Sequence, residues 1–206
     1  MAMPRRREAA LRALVASALA AVAAGLVRAE PCGRFPTSGF DGPDMRRVEG
    51  RYSNGQYHYA VDVPAGHAAY LDPDAPDHGV GIVLSWEPRA YVNVDGTYDA
   101  VEWKTPAAAA KQLLAWKRDS STSVLSHAQS PARLGPLRAL RQVVRHRCAG
   151  RPDVYVDDDI VAIADGVVYE LSLTTTEARY PQDKALIDRM RASWRLGGGP
   201  AAGKER

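Results

Sequence analysis

Apolar and polar residues alternate over residues 56–63. Tyr57, Tyr59, Val61 and Val63 point one way and Gln56, His58, Ala60 and Asp62 the other, a half-buried strand ended by Pro64-Ala65-Gly66. A loop rich in Asp and Pro follows within 67–78. Residues 79–86 are apolar on both faces and predict an inner strand; after the Glu87-Pro88 turn, 90–95 predict another. Thr105 then supplies an N-cap and Pro106 a first helical position for a helix over 107–118. Its apolar repeat is Ala110, Leu113 and Leu114, with Lys111 and Lys117 available for the solvent side. A short strand is expected over 123–129 and longer ones over 137–148, 154–164 and 167–175. The last two are joined by Asp165-Gly166, the dipeptide of a type I′ hairpin. A final helix over 181–194 carries Leu186, Ile187, Met190 and Trp194 at helical spacing. The pattern is that of an α+β domain: a mostly antiparallel sheet with helices packed on it.

The ends read differently. Arg5, Arg6, Arg7 and Arg12 precede an apolar run from Ala13 to Val27, and Val27-Arg28-Ala29 offers a small-residue cut between Ala29 and Glu30. Residues 1–29 therefore read as a cleavable signal peptide. A membrane span needs about 20 apolar residues, so no transmembrane anchor is expected after cleavage. The Arg- and Ala-rich style is bacterial, which implies a periplasmic or secreted protein; the Sec and twin-arginine routes both stay open. Residues 30–49 read as an irregular arm, 50–196 as the globular domain and 197–206 as a disordered tail.

Charge changes meaning once the leader is set aside. The whole chain is basic, with 27 Lys and Arg against 24 Asp and Glu, but residues 1–29 hold five Arg and one Glu. The remainder is nearly neutral and lacks the basic footprint of a nucleic-acid binder. Two cysteines, Cys32 and Cys148, allow one internal pairing, and in an oxidising compartment a disulfide is the default.

Candidate chemistry is sparse. Arg138, Arg141, Arg145, Arg147 and Arg151 form a run that suits a carboxylate or phosphate ligand. The same run suits a salt-laced sheet face if the strands about Gly150 pair so that Arg147 opposes Asp153 and Arg141 opposes Asp159. Asp157-Asp158-Asp159 suggests calcium, yet on a strand Asp157 and Asp159 share a face and Asp158 does not. The histidines His58, His67, His78, His127 and His146 lack metal-ligand spacing. No nucleophile elbow or phosphate loop is present, so neither a catalytic residue, a metal nor a cofactor is assigned. Trp86 and Trp103, near turns, are candidates for lining a groove.

The element order, with Tyr59-Ala60-Val61-Asp62-Val63-Pro64, Leu134-Gly135-Pro136-Leu137-Arg138-Ala139 and the stretch from Gly166 to Thr174 followed by Tyr180-Pro181, resembles the Mog1/PsbP-like α/β/α sandwich, including bacterial envelope proteins of the DcrB type. The likeness covers roughly residues 50–195. It implies a protein that binds partners or sits in envelope assemblies, generally without enzymatic activity, and carries over no catalytic residue. The expected function is an exported, non-catalytic binding or partner-interaction protein, its partner another envelope or secreted protein. The alternatives are an immunity or inhibitor protein against an envelope enzyme, a small-ligand carrier and a cofactor-independent hydrolase.

Overall fold

A computed structural model describes residues 47–71, 78–98, 103–119, 122–148 and 151–197. The signal peptide with its Ala29/Glu30 cut, Cys32, most of the arm and most of the tail lie outside the described residues.

The strands are β1 (Arg47–Val48), β2 (Arg51–Asn54), β3 (Tyr59–Asp62), β4 (Ala69–Leu71), β5 (Gly79–Ser85), β6 (Ala90–Thr97), β7 (Thr122–Leu134), β8 (Leu137–Cys148), β9 (Val154–Ala164), β10 (Val167–Thr176) and β11 (Arg195–Leu196). The helices are α1 (Pro106–Asp119) and α2 (Tyr180–Ser193). Eight strands form one antiparallel sheet in the order β1-β4-β5-β6-β10-β9-β8-β7, and β11-β3-β2 form a second, three-stranded sheet.

Local chemistry explains the long hairpins. Asp165 and Gly166 both take positive φ, 51° and 78°, as a type I′ turn requires, and the ladder runs from Val167 opposite Ala164 to Thr176 opposite Tyr155. At the start of α1 the Thr105 hydroxyl accepts the Ala108 N–H at 3.2 Å. In the strand expected over 56–63, His58 takes φ 54°, so pairing begins only at Tyr59. β7 is longer than expected because β8 supplies partners along its whole length, from Cys148 to Leu137.

Parity along β9 divides the interior. Ile160 and Ala162 face α2 and the small sheet, where Leu186, Ile187, Met190 and Trp194 are all buried. Trp194 stacks on Tyr59 with centroids 4.6 Å apart and meets the edge of Tyr169 at 6.0 Å. Val161 faces the other way, toward α1, in a smaller apolar cluster with Trp103, Ala109 and Val168. The large sheet is thus the middle layer of an α/β/α sandwich.

Candidate functional site

The two sheet faces hold different charge clusters, and adjacent aspartates of β9 feed opposite ones. On the α2 face Asp158 is fully buried and receives Arg141 through Nε at 2.7 Å and Nη2 at 2.5 Å. Its second oxygen also accepts the Tyr180 hydroxyl at 2.8 Å. Arg141 reaches on to Asp188 at 3.0 Å, which Lys184 holds at 2.6 Å. A bidentate guanidinium on a buried carboxylate is the strong form of this bond. It raises the Arg141 pKa, and burial together with Asp158 raises that of Tyr180.

The expected pairing of Arg141 with Asp159 is therefore corrected. The β8–β9 register sets Arg141 opposite Ile160 and Arg147 opposite Val154, one residue away from the expected alignment. A one-residue slip moves every side chain to the other face, so Arg141 meets Asp158 diagonally and Asp159 turns away. Asp153 is exposed in the turn before β9. The rest of the arginine run disperses. Arg145 donates to Glu177 at 3.1 Å with its guanidinium 6.0 Å from the Tyr180 ring, whereas Arg147 and Arg138 are exposed. Trp86 is exposed beside the β5–β6 turn, while Trp103 is buried under α1.

Under α1 lies the second cluster. Asp157 is buried; its Oδ2 lies 2.7 Å from Lys117 Nζ and 2.6 Å from His146 Nε2, and its Oδ1 accepts the Thr174 hydroxyl at 2.6 Å. Burial works to raise the Asp157 pKa, but Lys117 and His146 overcome it and hold the carboxyl well below the usual range. Lys117 does not face solvent as expected. It continues the stripe Ala110, Leu113, Leu114 at i+7, so its stem runs along the covered side and its ammonium ends on Asp157.

Asp159, two residues on, shares this face, and among the described residues no cation lies within ion-pairing distance of it. Burial pushes its pKa up to about 8, helped by Asp157 and opposed by Lys117. It stands directly opposite Gln142 in the β8–β9 ladder. Gln142 accepts from Gln129 at 2.8 Å, while its own Nε2 and the Asp159 Oδ2 are buried with no hydrogen-bond partner. Glu170, next along this face, is pushed up to about 7 by burial and by Asp95.

One ionised and one protonated carboxyl side by side is a division acid–base enzymes use. Here both are enclosed, with Asp157 2% and Asp159 4% exposed. Among the described residues no group of three or more His, Cys, Asp or Glu is placed to hold a metal ion, and no helix is long and apolar enough to cross a membrane. Cys148 is buried at the end of β8, and no free cysteine occurs among the described residues. Sequence reasoning overlooked Lys117, Gln142 and Tyr180, although the stripe on α1 contained the signal for the first.

No family model matches the chain, and no curated protein does. Solved structures do. Cyanobacterial PsbP (CyanoP) from Synechocystis sp. PCC 6803 is similar at 16% identity and a TM-score of 0.52, over 80% of this chain and 99% of that one. LpqN, involved in cell envelope biogenesis of Mycobacterium tuberculosis, is similar at 14% identity and a TM-score of 0.52, over 75% and 92%. The Ran-binding protein Mog1p of Saccharomyces cerevisiae aligns at 12% identity with a TM-score of 0.44, over 74% and 96%. At these identities the likeness shows the fold: the chain has the Mog1/PsbP-like α+β architecture.

Proposed function

We propose that this Mog1/PsbP-like sandwich is an exported, non-catalytic binding protein of the bacterial cell envelope that acts through another envelope or secreted protein. The observation that carries the reading is where its reactive groups sit. Lys117 pairs with Asp157 beneath α1 with His146 beside them, and Arg141, Asp158 and Tyr180 join beneath α2. Charges held this way fix layers together and leave recognition to the surface. Similarity to LpqN, an envelope-biogenesis protein, supports the location by analogy of fold. In the same reading residues 1–29 are removed between Ala29 and Glu30, and Cys148 pairs with Cys32.

Osmotic-shock fractionation followed by intact-mass analysis and free-thiol titration tests this. The expected result is a periplasmic or secreted chain beginning at Glu30 with no free thiol. A cytosolic chain retaining residues 1–29 and two free thiols would overturn the exported reading. A hydrolase reading draws on the divided protonation of Asp157 and Asp159. It requires turnover that Asp159→Asn abolishes without unfolding the protein.

A further inference from the structure

We propose that the groove between the tip of the β7–β8 hairpin and the end of α2 binds a phosphate-bearing ligand. The inference rests on the binding reading above and names the ligand chemistry of one surface; it does not depend on export.

The groove is an open depression of about 590 Å³. Pockets for small ligands span about 300–1,000 Å³, so it holds more than one phosphate group. Arg133 enters from the hairpin side, Arg191 and Arg195 from the helix side, and Leu196 adds apolar surface above the buried Trp194; no carboxylate among the described residues lines it. Among the described residues little neutralises these guanidiniums. Arg133 donates to the Pro136 carbonyl, which carries no formal charge. Arg195 has no ion pair among the described residues. Arg191 has Asp188 at 3.7 Å, but Arg141 and Lys184 hold that carboxylate closer, at 3.0 and 2.6 Å. Arg191 Nε is itself buried with no hydrogen-bond partner. Arg138 lies directly opposite Arg133 in the hairpin ladder, a like-charge pair that costs stability unless an anion lies near it.

The walls are preformed. Gly135 N–H donates to the Arg191 carbonyl at 3.2 Å, clipping the hairpin to the helix end. Gly135 has φ +55°, and a Cβ there would lie 2.1 Å from the Trp194 carbonyl oxygen. Stacking of Trp194 on Tyr59 and pairing of β11 with β3 fix the other side. A helix C-terminus ordinarily repels anions. Here the Arg191 carbonyl is occupied by the Gly135 and Trp194 N–H groups, and the side chains presented are cationic. Guanidinium forks match phosphate bidentately, and three of them around one concavity match a doubly charged group better than a single carboxylate.

The phosphate can belong to a soluble molecule or to a lipid headgroup. The test titrates the purified protein with inorganic phosphate and pyrophosphate, recording amide and arginine side-chain NMR shifts. Parallel sedimentation uses phosphatidylglycerol and phosphatidylcholine vesicles. The expected result is saturation below about 1 mM, equivalent to about 4 kcal/mol, with shifts centred on Gly135, Arg191 and Arg195. Arg195→Gln, an exposed position that leaves folding intact, should weaken binding about tenfold, and Arg147→Gln, outside the groove, should not. Binding of soluble pyrophosphate alone identifies a soluble ligand; selective sedimentation with phosphatidylglycerol identifies a headgroup. No saturation with any probe, or equal loss in Arg147→Gln and Arg195→Gln, overturns the site. Capture of a protein partner with no shift in the groove overturns this inference while keeping the binding reading.

Discussion

Lys117→Met separates a structural ion pair from an incidental one. The substitution keeps most of the stem that packs beneath α1 and deletes the ammonium 2.7 Å from Asp157. Asp157 has 3% side-chain exposure, so solvent cannot replace the lost charge. Removing one partner of a buried pair costs about 3–5 kcal/mol. His146 at 2.6 Å and the Thr174 hydroxyl remain on the carboxylate and place this case at the lower end, about 3 kcal/mol. For a domain of this size that is a fall in Tm of roughly 6–12 °C. Asp157→Asn alone should cost less, because Lys117 keeps 24% side-chain exposure and can turn to water. The double variant should recover much of the loss, since the uncompensated charge is gone. Urea unfolding of the four proteins at pH 7 gives the coupling energy directly. A single-variant loss below about 0.5 kcal/mol, or strict additivity, would refute the view that this pair anchors α1.

Three further outcomes follow from the same structure. Asp159 and Glu170 bind protons more tightly folded than unfolded, so stability falls as pH rises from the ordinary carboxylate range through about 7 to about 8, at up to about 1.4 kcal/mol per pH unit and group. Asp159→Asn should flatten that slope and exceed the parent in stability at pH 8–9; parallel denaturation curves from pH 5 to 9 would contradict it. Gly135→Ala should destabilise by more than about 1 kcal/mol, because it combines a positive φ with a clash against the Trp194 carbonyl, and a Tm equal to the parent's would refute the hairpin clip. Reduction of the proposed Cys32–Cys148 bond should lower stability by about 2–4 kcal/mol, measured as a shift in the urea midpoint between reducing and non-reducing buffer.

Much of the fold was legible where the pattern was long and the turn chemistry explicit. The bounds of β8 and β9 follow from extended strand-forming runs, and the Asp165-Gly166 turn fixes how β9 returns as β10. The strands β1, β4 and β11 have two or three residues and exist through partners distant in sequence, so no local period announces them. The salt-laced face was legible in kind, and its pairing was off by one residue. An arginine–aspartate face exists, but a register one residue away joins Arg141 to Asp158. A register one residue either way fits the same composition, so the choice between them could not be read from the residues alone. Lys117 shows the opposite failure: the i+7 spacing pointed inward, and the expectation that a lysine faces solvent overrode it. Arg133, Arg191 and Arg195 are brought together by the hairpin and β11, a juxtaposition no motif encodes.

The central claim is a binding role without catalysis, and its most direct measurement uses the mature chain from Glu30 as bait in non-reducing envelope extract. Recovery is quantified, and the eluted complex is assayed against hydrolase substrates. The expected result is one protein recovered stoichiometrically and no turnover by the purified chain. No specific partner at several salt concentrations, together with turnover that Asp159→Asn removes, would contradict it.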